Sequence, residues 1–329
     1  MNDYKKATVF LEYPLIFRQE ITMNSLPILC CGPTPALQRT LRFRNWCAEG
    51  DVVRTSEITW SVGGKATNAA RAIVCGGGQA SILSPASGMN GERMKRLLAS
   101  EGLEGIWMET AAETRICQTL LDGEGRRIRE LVENAPAWQL PEWGEYFAQL
   151  ERALHFHSAL LLCGSLPEQA PDAAYATMTK MAVKAGKTVV IDAKGPPLKV
   201  ALPFQPDLIK INREELCGTS GLDDIPDGMR KLMDEGAKAV MVTDGPHDAW
   251  LAAGRKIHRF SLPEIEPVNP IGGGDTVTGV TALSWLSGMK LHKAAIEGLG
   301  AGMAQTLTSH PAQYEPATAR ELARKIKAR

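Results

Sequence analysis

The run Asn269-Pro270-Ile271-Gly272-Gly273-Gly274-Asp275-Thr276-Val277-Thr278-Gly279-Val280 concentrates residue types able to do chemistry. Three glycines end in an acid, a helix-compatible run follows from Thr276 to Leu286, and Gly288 is placed to stop it. Glycines ahead of a helix let backbone N–H groups turn inward without Cβ obstruction, and the helix N-terminus adds partial positive charge. Amides so arranged cradle a phosphate or another oxyanion. Asp275, at the mouth of that cradle, is a poor phosphate ligand but a sensible acceptor for the proton of a nucleophilic hydroxyl. The combination implies phosphoryl transfer to an alcohol. A plain glycine-rich turn capped by an acid has the same sequence, so the remaining chain has to decide.

Elements that could position such a centre begin at Leu26–Cys31, an apolar strand closed by Gly32-Pro33-Thr34-Pro35. This turn puts Thr34 to Gln38 at a strand's carboxyl edge, where open α/β sheets bind ligands. Between Leu37 and Val62, and again from Ile116 to Val132, the pattern changes to period two, which predicts exposed antiparallel strands. In the second region Asp122-Gly123-Glu124-Gly125 is a hairpin signal. Two such segments would form a small sheet whose apolar face needs cover, and dimerisation is one way to supply it. Gly63-Gly64 leads into an Ala-rich helix carrying Lys65 and Asn68 on one face. That start reads either as a polar grip on substrate or as a tight turn with a solvated first turn. From Leu154 onward strands and helices alternate: Ala159–Cys163, a helix near 171–185, Lys187–Asp192, Asp207–Asn212, a helix over 227–236, then Ala239–Thr243. Such alternation predicts right-handed crossovers and a mostly parallel sheet with helices on both faces.

Composition bounds the rest. The 329 residues are 44% hydrophobic and 22% charged, ordinary globular values, so one large α/β domain with insertions or two modest ones fit. Lys plus Arg and Asp plus Glu both number 37, which argues against a nucleic-acid or membrane-surface partner. Seven scattered cysteines without a C-x-x-C pair point to reduced core thiols in a cytoplasmic protein rather than disulfides or zinc. No apolar run reaches membrane-spanning length and no secretion signal opens the chain. Residues 1–25 are expected as an N-terminal extension, 26–320 as the α/β domain, 37–62 and 114–135 as lid segments within it, and 321–329 as a tail.

In order, the pieces resemble the phosphofructokinase B (ribokinase-like) family of carbohydrate kinases, most closely its 1-phosphofructokinase and tagatose-6-phosphate kinase branch. Gly32–Gln38, Gly63–Arg71, Thr114-Arg115-Ile116, Gly164-Ser165-Leu166-Pro167, Lys210–Leu216 and Asn269–Asp275 are similar to six motifs of that family, from about Ile28 to about Leu307. The resemblance implies a three-layer α/β/α fold with a small β-sheet lid. It implies an ATP- and Mg²⁺-dependent kinase acting on a hydroxyl of a sugar phosphate, with a homodimer formed through the lid. Asp275 would be the catalytic base and the amides of Gly272, Gly273 and Gly274 the anion hole. Asn212 and Glu215 would act near the metal, although the same pair also spells a helix capping box. Thr243 and Gly245 would lie against the nucleotide. Gln38, Gly64, Lys65, Asn68 and Ser165 would hold the sugar, and Arg115 its phosphate, unless Arg115 is a lid surface charge.

Several positions depart from the family pattern. Gln38 stands where Asp is usual, Thr34 where Asn is usual, Ala66 in place of a third glycine, Gly273 in place of Ala, and Asp248 near the nucleotide where Gly is expected. Gln38 keeps hydrogen-bonding capacity without charge, and a carboxylate at Asp248 is unfavourable beside ATP phosphates unless it faces away. Two other readings therefore stand beside the sugar-phosphate kinase: a non-catalytic sugar- or nucleotide-binding regulator, and a kinase for a free sugar or nucleoside. A nicotinamide dehydrogenase is disfavoured, because no G-x-G-x-x-G follows the first strand.

Overall fold

Short uninterrupted apolar runs become interior strands, because a strand covered on both faces has no solvent side to keep polar. The computed structural model of the chain describes residues 26–44, 52–122 and 127–329. In chain order β1 (Ile28–Cys31) leads into β2 (Ala36–Phe43) and β3 (Glu57–Gly63), then α1 (Lys65–Cys75), β4 (Ala80–Pro85), α2 (Gly88–Ser100) and β5 (Glu104–Met108). The antiparallel pair β6 (Ile116–Asp122) and β7 (Ile128–Val132) precedes α3 (Leu140–Leu154). Alternation follows through β8 (Ala159–Cys163), α4 (Ala174–Lys184), β9 (Thr188–Asp192), α5 (Gly195–Ala201), β10 (Leu208–Asn212), α6 (Arg213–Ser220), α7 (Ile225–Asp234) and β11 (Ala239–Thr243). The chain closes with β12 (Ala249–Ala253), β13 (Lys256–Ser261), α8 (Gly273–Leu286), α9 (Leu291–Thr306), α10 (Pro316–Lys325) and β14 (Lys327–Ala328).

Ten strands form one sheet in the order β14-β13-β12-β11-β10-β9-β8-β1-β4-β5. It is parallel from β11 to β5 and antiparallel from β11 outward to β14. Side chains alternate between two cores: Ile28 and Cys30 of β1 join α1, α8 and α9, while Leu29 and Cys31 join α3, α4 and α7. The expected α/β/α layering is present. Residues 321–329 complete α10 and add β14, which pairs with Phe260 and Ser261 rather than trailing off as a tail.

The order reverses at β1, whose neighbours are β8 and β4. A crevice opens at the carboxyl ends of strands at such a switch point, and Thr34 meets Ser165 across it, its hydroxyl 3.2 Å from the Ser165 carbonyl oxygen. Over this edge lies a second sheet in the order β3-β2-β6-β7, built from the two period-two regions. The turn from Asp122 to Gly125 lies, past Asp122, outside the described residues, as does the extension 1–25.

Helix α8 is apolar on nearly every side because it lies between α1 and α9. Its small residues allow that approach. A Cβ on Gly279 would come within 2.5 Å of the Ala69 carbonyl oxygen, so α8 and α1 touch backbone to backbone there. This contact sets the distance between the first turns of the two helices, where the polar residues of interest lie.

Candidate active site

Asp275 is in the first turn of α8, beside Asn68 in the first turn of α1. The Asn68 Nδ2 donates to Asp275 Oδ2 at 2.7 Å. A left-handed Gly272, φ 87°, turns the chain into α8, a conformation that favours glycine. The opening amides of a helix have no intrahelical acceptor. Here Gly273 donates back to the Pro270 carbonyl at 3.3 Å, so of the three glycine amides it is the one already engaged, and the Gly274 and Asp275 amides at the helix start have no protein acceptor among the described residues.

Beneath Asp275 sits a charge cluster organised on Asp192, which is 1% exposed at the end of β9. Lys65 Nζ is 2.8 Å from its Oδ1, while Lys210 Nζ at 3.2 Å and Thr278 Oγ1 at 2.6 Å share its Oδ2. A Cβ on Gly274 would lie 2.8 Å from Lys210 Nζ, so glycine is what lets this ammonium approach the helix start. Lys65 also lies 3.6 Å from Glu215.

These contacts set the protonation states. Burial and the neighbouring Asp192 push the Asp275 carboxyl above the ordinary Asp range, against the pull of Lys65, Asn68 and Lys210. Burial acts on Asp192 in the same direction, but Lys210 and Lys65 outweigh it and hold the carboxyl at about 2. Burial pulls the Lys65 ammonium down, and Asp192 with Glu215 reverse this and raise it. Asp192 is thus held as an anion between two ammonium groups, while the Asp275 carboxyl holds its proton more tightly than an ordinary Asp.

One cleft of about 2010 Å³ is lined by Thr34, Gln38, Gly64, Lys65, Asn68, Arg115, Ser165, Glu215 and Asp275, together with the β2, β3, β6 and β7 faces above. Sequence reasoning placed all of these in the site. Thr243, Gly245 and Asn212 are not among its lining residues. Asn212 instead caps α6: its Oδ1 accepts from the Glu215 amide at 2.8 Å, and Glu215 Oε2 accepts from the Asn212 amide at 3.2 Å. Arg115 has structural partners as well, donating to the carbonyls of Pro35, Thr34 and Glu133 at 3.2, 2.8 and 2.7 Å. Gln38 Nε2 donates to Thr119 Oγ1 at 2.7 Å. Asp248 pairs with Arg259 and does not line the cleft.

Asp192, Lys210 and Thr278 carry no role in the sequence reading. The available signals were an acid ending the apolar strand Thr188–Asp192 and a lysine inside Leu208–Asn212. Charged residues in fully covered strands are rarely unpaired.

Solved structures share this arrangement of elements. Phosphofructokinase-2 from Escherichia coli, solved in complex with potassium, superposes with a TM-score of 0.85 at 24% identity, covering 91% of this chain and 99% of that one. A possible 1-phosphofructokinase from Thermotoga maritima gives a TM-score of 0.81 at 16% identity over 92% and 98% of the two chains. At these identities the likeness establishes the ribokinase-like fold. No described helix is long and apolar enough to cross a membrane. The sequence model of the pfkB family carbohydrate kinases matches residues 36–318, nearly the whole of the cleft-bearing fold, and on that match the chain belongs to the pfkB family and is a sugar kinase.

Proposed function

We propose that the chain transfers the terminal phosphoryl group of ATP to a hydroxyl of a sugar phosphate. The observation that carries this reading is the buried Asp275, hydrogen-bonded by Asn68 and set beside free amides at a helix N-terminus. Asp275 accepts the proton of the attacking hydroxyl. The Gly274 and Asp275 amides, with Lys65 and Lys210 close behind, meet the charge of the group in flight. Gln38, Gly64, Lys65, Asn68 and Ser165 orient the acceptor from the lid and the switch point. Arg115 uses three guanidinium N–H groups on carbonyls, and the two that remain of its five are suited to an acceptor phosphate. A fructose-6-phosphate complex of the E. coli phosphofructokinase-2 makes that acceptor class a natural first choice.

Among the described residues no cluster of three or more His, Cys, Asp or Glu could grip a bare divalent ion. A hydrated Mg²⁺ needs only one or two carboxylates besides the phosphates, and Glu215 with Asn212 behind it fits that demand. When bound with ATP, the ion neutralises phosphate charge.

The three carbonyl partners that Arg115 already has favour a second reading, a free sugar or nucleoside as acceptor. Of the two residues that spoke for a non-catalytic regulator, Gln38 and Asp248, the second is turned onto Arg259. The test is ADP release across a panel of phosphorylated and free sugars with ATP and Mg²⁺. Turnover with hexose phosphates only supports the proposal, turnover with free sugars moves the assignment to the second reading, and binding without ADP formation overturns both. We also place a second copy of the chain on the lid, where Ile58 and Leu131 are 40% and 48% exposed on the face away from Gln38. Light scattering that returns a monomer would remove that part.

A further inference from the structure

Asn68 donates to the base, yet an amide side chain can be turned either way round. Turned over, it would present its oxygen to the Asp275 carboxylate and repel it. What decides the orientation lies one helical turn on. Arg71, three residues along α1 on the same face, is 6% exposed and donates from Nη1 to Asn68 Oδ1 at 2.9 Å. An arginine has no acceptor, so this contact admits only the Asn68 oxygen and aims the Nδ2 at Asp275. The guanidinium is itself anchored on two further sides. Its Nε and Nη2 meet the Glu101 carboxylate at 2.5 and 3.3 Å, and Nη2 also donates to the Val62 carbonyl at 3.1 Å.

We infer that Arg71 is a positioning residue for the catalytic base, acting through Asn68 and held in register by Glu101 and by the root of strand β3 at Val62. The proposal rests on the reading of Asp275 as the base. It adds a residue that touches neither substrate nor reacting atoms, and it makes a chain of four side chains, Glu101, Arg71, Asn68 and Asp275, span from the end of α2 to the cleft. Arg71 does this with a planar fork, whose donors point in fixed directions, so a lysine is not its equivalent.

The groups facing Asp275 are Asn68 and Lys65 from α1, Asp192 from β9, Lys210 from β10 and, more remotely, the Cys163 thiol of β8. Of these, Asn68 alone is set by Arg71, and its hydrogen bond favours the ionised base. Loss of Arg71 therefore weakens one specific pull on Asp275 while leaving the charges around it in place.

The test compares Arg71→Met and Arg71→Lys with the parent full-length chain by pH–rate profile and thermal melting. The lysine variant keeps the partner of Glu101 and guards against a methionine variant that fails to fold. In both, the acid limb of kcat/KM is expected to move up by about one pH unit, with kcat/KM about 10-fold lower below that limb. Glu101→Gln, which leaves the Arg71–Asn68 contact standing, should move the limb less. An unmoved limb, with activity falling only as melting temperature falls, would make Arg71 a purely structural residue and overturn the inference. The carboxyl-carbon NMR shift of Asp275, assigned by its loss in Asp275→Asn, follows the same titration without turnover. An upward shift there in the Arg71 variants supports the positioning role even if no acceptor is phosphorylated, so this inference and the kinase assignment fail separately.

Discussion

The floor of the cleft and its lid side solve opposite problems. On the floor, Asp192, Asp275, Lys65, Lys210 and Thr278 are locked by contacts of 2.6–3.2 Å among themselves and with Asn68, and Asp192 and Lys210 are only 1% and 4% exposed. On the lid side Gln38, Thr119, Arg115 and Thr34 are neutral or already satisfied by one another and by backbone carbonyls. A buried charge that loses its partner is costly, so the floor tolerates almost no change. A half-buried hydroxyl or amide exchanges one partner for another at little cost, so the lid side can be altered while the reaction stays. The departures from the family pattern follow this division only in part: Gln38 is on the lid side and Thr34 at the switch point, Ala66 and Gly273 are small-for-small changes in the first turns of α1 and α8, and Asp275, Lys65 and Asn68 are intact.

The largest effect should come from breaking the floor at its titrating member. Asp275→Asn is expected to lower kcat by ~10⁴-fold while melting temperature holds or rises, since an amide needs no ionisation at a buried site. Near-parental turnover would remove Asp275 from the reaction. Next comes Asp192→Asn, which strands two ammonium groups and should reduce stability by about 3 kcal/mol, read by denaturant unfolding.

The same variant has a signature in pH. As the proposed base, the raised Asp275 carboxyl has to lose its proton, so parental kcat/KM should fall as pH drops through a value above the ordinary Asp range. Asp192 is a main cause of that elevation, so Asp192→Asn should move the acid limb to lower pH. Stability runs the other way. The depressed pKa of Asp192 contributes stability that is present above the ordinary Asp value and lost as pH falls toward about 2. A limb that stays in place in Asp192→Asn would show that burial alone sets the base.

Legibility in the sequence follows the same division by range of interaction. The alternation from Ala159 to Thr243 was readable because each strand is a short apolar run between turn residues. The turn into α8, the stop at Gly288 and the capping pair Asn212–Glu215 were readable because each is local. The antiparallel strands β12, β13 and β14 at one side of the sheet were not, since their sequences become strands only by pairing. The Asp192 cluster was not either: its members are separated by up to 213 positions, from Lys65 to Thr278, and only the fold brings them together. Asn68 shows the intermediate case. Its position was marked by motif and helix face, but its amide donates to Asp275, which depends on how closely α8 packs on α1.

On the lid side, Arg115→Ala should cost about 2 kcal/mol, because three carbonyls lose a charged donor. If Arg115 also meets an acceptor phosphate, the KM for a sugar phosphate rises by about 10-fold with kcat little changed. A variant that is less stable but keeps its KM assigns Arg115 to the lid hinge alone.

The smallest effect belongs to Asp248, and it tests whether the contrast ends where the cleft ends. Asp248 and Arg259 are 21% and 59% exposed and form a surface pair, an interaction worth about 0–1 kcal/mol. Because the carboxylate is held on Arg259, it adds little repulsion toward nucleotide phosphates. Asp248→Gly should therefore leave stability within about 0.5 kcal/mol and change the KM for ATP by less than about twofold. A KM for ATP that falls about 10-fold would mean that the carboxylate reaches the nucleotide after all. The tolerant zone would then extend across both substrates, and the locked floor alone would separate this enzyme's chemistry from its recognition.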